Sequence, residues 1–388
     1  MPRGLAAALL APLLLLLGLG FLAPLLALLA TAVRDPELAA TLPGTRAELV
    51  AWDGQGLPGE GAFAALARES TAALADRRLG PLTARLNFSE PGLRAALLRV
   101  ARAGGRLSAP FADSVPALDQ RWADPATWQA LAAARGPLTS LYLLRALDLT
   151  PGAAGIEAVP ADLALFRELF ARTLWVSLLV TLACILLAYP LAALIAGLRP
   201  PWSGIVTAMV LVPFWSSVLV RSTAWFALLA REGPVNEALL AAGLIAEPLQ
   251  MLGTRAAVLV ATIHVLLPVA VLPLLAVMLR LDPRLPRAAA SLGAGPWLRF
   301  WRIWLPLTLP GVAAGGALVF LLAIGFYITP ALLGGERDQL IAWFIAQFLN
   351  RDVNWGMAAA LSVWLLALAG AVLALAGLLA GDAWRARR

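Results

Sequence analysis

One histidine, one cysteine and no lysine leave this 388-residue chain few groups for acid–base, nucleophilic or phosphate chemistry. A P-loop sets a lysine against the β- and γ-phosphates, so the chain is not a P-loop ATPase. Cys184 lies in an apolar run, which excludes an internal disulfide or a cysteine metal cluster and fits a small buried hydrophobe. His264 stands beside Pro268 and Pro273 and reads either as a proton relay or as a hydrogen-bonded packing residue. No acid in the apolar runs is available to pair with it, so no catalytic acid–base couple can be assembled there. The residues predict a non-enzymatic chain with no cofactor and no metal site.

What remains is polar chemistry placed in apolar surroundings. Arg221 falls inside an apolar run, where a guanidinium is expensive to keep. Helical spacing sets Ser217, Arg221 and Trp225 on one face, with Phe214 and Trp215 nearby. Arg221 has two readings: it snorkels to the outer headgroups, or it lines a path or a helix contact. The stretch Phe326-Tyr327-Ile-Thr329-Pro330 is a gate or solute contact, or else part of an interfacial aromatic belt. Trp215, Ser217, Arg221, Trp225, Tyr327 and Thr329 are therefore the candidate translocation path. Proton- and sodium-coupled transporters bury a carboxylate, and the apolar runs here contain no Asp or Glu. That speaks against a self-sufficient secondary transporter.

The elements that must hold these residues follow from composition. Hydrophobic residues make up 61% of the chain and charged ones 14%, too little polar surface for a soluble domain. Six runs reach the roughly 20 residues that a crossing needs: about 5–33, 170–198, 203–230, 256–279, 307–332 and 355–380. The first run is longer than a signal-peptide core and reads as an uncleaved helix. Pro190, Pro213, Pro268, Pro273, Pro310 and Pro330 fall inside these runs and predict kinks.

Arginines set the orientation. With the N-terminus inside, cytoplasmic parts hold Arg3, Arg199, Arg280, Arg284, Arg287, Arg299, Arg302, Arg385, Arg387 and Arg388 against only Asp282 and Asp382. Both termini are then cytoplasmic, with a basic tail at 383–388. Residues 34–168 form one large polar insertion, placed outside. Helical spacing over 62–79, 91–103 and 125–149, broken by Pro/Gly pairs, predicts a small, mostly helical unit. The fold class is an all-α polytopic membrane protein. Its parts are a first helix (1–33), the periplasmic insertion (34–168) and a core of five further helices (169–382). No arginine-rich stripe with interleaved aromatics appears away from membrane flanks, so no nucleic-acid partner is expected.

Between the fourth and fifth runs lies Arg287-Ala-Ala-Ala-Ser-Leu-Gly293, followed after nine residues by Ile303-Trp-Leu-Pro306. Ala-rich composition predicts a short helix ending at Gly293. The next segment predicts Trp297, Trp301 and Trp304 on one face and Arg299 and Arg302 on the other, lying along headgroups. The spacing resembles the EAA loop, E-A-A-x₃-G-x₉-I-x-L-P, of ABC-importer permeases. Residues 165–380 also look like the spermidine/putrescine type, through Arg172-Thr-Leu-Trp-Val-Ser177, Tyr189-Pro-Leu-Ala192, Pro213-Phe-Trp215, Leu219-Val-Arg221, Glu247-Pro-Leu-Gln250, Thr329-Pro-Ala-Leu-Leu-Gly334 and Ala358-Ala-Ala-Leu-Ser362.

The resemblance implies six transmembrane helices of the permease type in a bacterial inner membrane and an ATPase-docking loop within 281–306. It assigns docking to Arg287, Ala288, Ala289, Gly293, Ile303, Leu305 and Pro306. It further implies a cytoplasmic ABC ATPase dimer, a second permease subunit, a periplasmic solute-binding protein and a polyamine cargo. One departure is plain: Arg287 stands where the motif has Glu. The alternatives are a secondary transporter, and a membrane scaffold or sensor built on the insertion.

Overall fold

The computed structural model describes residues 3–152, 155–282 and 284–385. Arg387 and Arg388, and with them the end of the basic tail expected over 383–388, lie outside the described residues. Among the described residues five helices are long and apolar enough to cross a membrane: Leu10–Val33, Phe166–Gly197, Arg255–Met278, Pro296–Ile324 and Trp355–Leu378. A sixth crossing requires the pair Trp202–Trp215 and Val218–Leu228, which is bent by 95°. Among the described residues the strands are one antiparallel hairpin, Leu149–Gly152 with Gly155–Ala158, Leu149 facing Ala158.

The chain divides into two compact units, Met1–Leu163 with Gln347–Trp364, and Ala164–Ala346 with Leu365–Arg388. The first has a soluble-type core. Phe63 on the Glu60–Ala75 helix packs edge-on against Trp128 at 4.5 Å, and Trp128 meets Trp122 at 5.3 Å. Leu66, Leu82, Leu86, Leu93, Leu97 and Leu131 close around them, fully buried. Glu69 caps the Pro43–Ala51 helix, accepting from the Gly44 and Thr45 N–H groups at 2.6 and 2.9 Å. Asp124 caps Pro125–Ala132 by accepting from the Ala126 N–H at 2.9 Å. The helix expected over 125–149 is split into Pro125–Ala132 and Leu141–Arg145, because Gly136-Pro137 cannot continue a helical ladder. The start of the last span packs into this unit. Trp364 Nε1 donates to the Leu143 carbonyl at 3.0 Å, and the Tyr142 ring lies where a Cβ on Gly356 would be.

The second unit is built on three helices: Phe166–Gly197, Arg255–Met278 and Leu305–Ile324. Their seam is close, with Val180, Cys184, Ala188, Ala270, Leu274 and Val319 buried. Membrane helices approach closely where side chains are small. At Gly315 an added Cβ would lie 3.0 Å from the Ala270 carbonyl oxygen, and at Gly311 it would lie 3.2 Å from Leu274 Cα.

Two expected spans are corrected. The third is not one helix over 203–230. Pro213 sits in a 3₁₀ turn, Val212–Trp215, and Ser216 and Ser217 are extended before Val218–Leu228 begins. The fifth ends at Ile324 rather than 332, and Thr329 and Pro330 belong to a separate short helix, Ile328–Leu333.

Candidate functional site

The loop between the fourth and fifth spans is built by caps. Asp282 accepts from the Arg284 N–H at 2.8 Å and starts the helix Arg284–Ser291. Gly293, at φ +85°, stops it. The Ala294 N–H reaches the Ala289 carbonyl at 2.9 Å and the Gly293 N–H the Ala290 carbonyl at 3.0 Å, the paired bonds of a Schellman cap. This is the helix and the stop that the sequence predicts.

Arg287 and Ala288 are exposed and Ala289 half-exposed. Leu292, which sequence reasoning missed, is 87% exposed, and Leu285 on the same face is exposed as well. Leu285, Ala288 and Leu292 recur at helical spacing, forming an apolar stripe with small residues at its middle. An i, i+3, i+7 count over 285–292 carries that signal.

Ile303, Leu305 and Pro306 have a different place. They are half-buried where the chain passes from Pro296–Arg299 through a π-helical turn, Phe300–Trp304, into Leu305–Ile324. They root the loop in the bundle. The π turn also corrects the tryptophan face. The wider π turn, bonded i→i+5 rather than i→i+4, rotates Trp304 inward against the core, while Trp297 and Trp301 stay exposed with rings 5.9 Å apart. Behind them Tyr189 packs edge-on against Phe300 at 5.9 Å, and its hydroxyl meets the Thr308 hydroxyl at 2.8 Å.

Among the path candidates, Arg221, Trp225 and Thr329 come together. Arg221 is buried, donates from Nη1 to the Val265 carbonyl at 3.1 Å and lies 5.8 Å from the Phe214 ring centre. That bond ties its helix to Arg255–Met278. Trp225 Nε1 donates to His264 Nδ1 at 3.1 Å. Thr329 and Ser222, both fully buried, share a hydroxyl–hydroxyl bond of 2.7 Å. The result is a polar seam joining Val218–Leu228, Arg255–Met278 and Ile328–Leu333, to which His264 and Ser222 also belong.

Ser217 does not share the Arg221 face. It is the N-cap, accepting from the Val220 N–H at 3.1 Å, because the helix begins only after it. Trp215, 87% exposed, borders an apolar cleft of about 410 Å³ with Ser203, Thr207 and Leu279. Tyr327 is exposed ahead of the short helix that holds Thr329. The described residues hold no group of three or more His, Cys, Asp or Glu that could bind a metal ion.

No family model matches the chain. The spermidine/putrescine transport system permease protein PotB of Haemophilus influenzae is 33% identical over 239 residues, covering 60% of this chain and 84% of that protein. PotB of Escherichia coli K12 is 38% identical over 211 residues, covering 54% and 76%. A solved bacterial ABC transporter involved in alginate import aligns at 20% identity with a TM-score of 0.48, over 56% of this chain and 79% of that one. Fold and relatives together define an all-α, multi-pass membrane permease of the ABC-importer kind. The chain belongs to the family of spermidine/putrescine transport system permeases.

Proposed function

We propose that the chain is the transmembrane subunit of an ATP-driven importer, forms the solute path, and couples to a separate ATPase through the loop at 284–306. The observation that carries this reading is the loop's geometry. A capped helix offers exposed Leu285, Ala288 and Leu292, while Ile303, Leu305 and Pro306 anchor its other end in the bundle. A large apolar side chain left 87% exposed at a helix end calls for a protein seat.

The arginine distribution supports a cytoplasmic loop and cytoplasmic termini, with the 34–168 insertion outside. In that orientation the partners are a cytoplasmic ABC ATPase dimer, a second permease subunit and a periplasmic solute-binding protein. Closure of the ATPases on ATP pulls the loop and tilts the spans between inward- and outward-open states. The polar seam of Arg221, Ser222, Trp225, His264 and Thr329 lies beside the break in the third span and is part of the path. The cargo is a polyamine, as the names of the relatives indicate. Trp215, Trp225 and Tyr327 offer cation–π faces for it. The spans contribute no carboxylate, so the acids come from the partner permease or the binding protein.

The test is uptake of labelled spermidine into proteoliposomes holding this chain, its companion permease and its ATPase, with binding protein outside and ATP inside. ATP-dependent uptake is expected. Leu292→Asp is expected to abolish uptake and binding-protein-stimulated hydrolysis together while the chain still inserts. Wild-type coupling in Leu292→Asp would remove the loop from the docking role. Uptake of another solute in place of spermidine would correct the cargo alone.

A further inference from the structure

The first unit contains an open cleft of about 570 Å³ whose wall is set with arginines. Arg94, on the Leu93–Ala103 helix, Arg145, at the end of Leu141–Arg145, and Arg351 converge on it, with Asp352 the one acid among the lining residues. Neither Arg94 nor Arg351 makes an ion pair among the described residues. Arg145 is half-buried, its Nη2 donates to the Ser89 carbonyl at 3.4 Å, and its Nε is buried with no acceptor. Glu90 is the other charge acting on it. The wall thus keeps positive charge and unused donors. Part of it is apolar: Phe88 lies under Arg145 at 6.0 Å, and Leu163 is 59% exposed.

The position along the chain narrows the occupant. Arg351 and Asp352 come just before the last span, which begins at Trp355, and Leu163 comes just before the span that begins at Phe166. Residues leading into two spans sit at headgroup depth. Guanidinium forks match the oxygens of a phosphate group. A free phosphate has no use for the apolar part of the wall, whereas a lipid brings glycerol and acyl carbons to cover it.

We infer that this cleft is a phosphate-recognition site whose occupant is the headgroup of an anionic phospholipid in the adjoining leaflet. A polycation is repelled by three arginines, so the site stands apart from the cargo path. It rests on the spanning assignment of the last helix and not on the cargo, and polyamine uptake therefore tests it in neither direction.

The full chain in mixed detergent micelles is examined by native mass spectrometry with phosphatidylglycerol or phosphatidylcholine as probe. Wild type should retain phosphatidylglycerol preferentially. The double variant Arg94→Gln/Arg351→Gln should lower that retention by about tenfold or more, since each charge-assisted hydrogen bond lost is worth at least about tenfold. Leu163→Glu, which leaves all three arginines in place and adds a repelling carboxylate, should do the same, so a folding defect in the double variant does not decide the question. Unchanged retention in Leu163→Glu would overturn the site. Equal protection against thermal unfolding by inorganic phosphate alone would overturn the lipid as its occupant.

Discussion

Arg221 shows what a buried guanidinium does when no acid accompanies it. Pro268 has no N–H, so the His264 carbonyl loses its helical partner and the ladder opens around that turn. The carbonyls on either side of His264 take side chains from other helices: Cys184 Sγ lies 3.6 Å from the Ile263 carbonyl and Arg221 donates to that of Val265. Arg221→Met keeps the bulk and removes the donor. It is expected to cost about 1.5–3 kcal/mol, the usual worth of a hydrogen bond from a charged group, read as a lower midpoint of thermal unfolding in detergent.

Outside the spans, Asp35 and Arg85 make the opposite case. Both are fully buried, with Arg85 Nη2 and Nε at 2.6 and 2.9 Å from the same carboxylate oxygen. Burial pushes the Asp35 carboxyl up against the pull of Arg85, and it raises Glu37 too, with help from the Asp35 charge. A carboxyl whose folded pKa is raised holds its proton more tightly in the folded state. Its contribution is fullest below the unfolded value and declines as pH rises through the folded one. Acidification from pH 7 toward 5 should therefore leave the midpoint of this unit steady or higher; a fall would contradict the shift. The oddity of Arg221 was legible in sequence, as a charge in an apolar run. Its partner was not, because Val265 is a carbonyl on another helix and any residue type supplies one.

At the scale of elements, the long helices were legible because an apolar run of spanning length has few other fates. The two corrected spans show where that reading stops. Hydropathy is blind to direction, so Pro213, Ser216 and Ser217 read as part of an apolar run although they turn the chain by 95°. The π turn at Phe300–Trp304 is likewise invisible to a 3.6-residue count, and it moved Trp304 off the predicted face. Packing between elements was not legible at all; Gly315 and Gly316 look alike in the sequence. In the fold a Cβ on Gly315 would sit 3.0 Å from the Ala270 carbonyl oxygen, backbone that cannot yield, whereas on Gly316 its nearest neighbour is Thr181 Cγ2 at 3.8 Å. Gly316→Ala should leave the detergent-solubilised chain's unfolding midpoint unchanged. Gly315→Leu must push Arg255–Met278 and Leu305–Ile324 apart, at about 1–3 kcal/mol for an overpacked core, and the midpoint should fall. Equal midpoints for the two variants would mean that this seam is looser than the structure has it.

At the scale of the molecule, two units with different kinds of core share one chain. The three-helix seam of the second is held by small residues and close backbone, as in a membrane. The first buries Phe63, Trp122 and Trp128 together, apolar area of the sort that water drives inward. The second unit's helical seam contains none of these residues, so damage to the aromatic cluster should stay in the first unit. Trp128→Ala removes the ring that bridges the other two and also the indole donor to the Trp122 carbonyl at 3.0 Å. An aromatic-to-alanine change of this kind costs about 3–5 kcal/mol, comparable to the whole stability of a small domain. Limited proteolysis of the full chain in detergent reads the outcome. Cuts within 43–132 should appear at temperatures where wild type is protected, while 166–324 remains intact as one fragment. Simultaneous cleavage of both stretches would show that the two cores unfold as one, and that the spans depend on the insertion for their own stability.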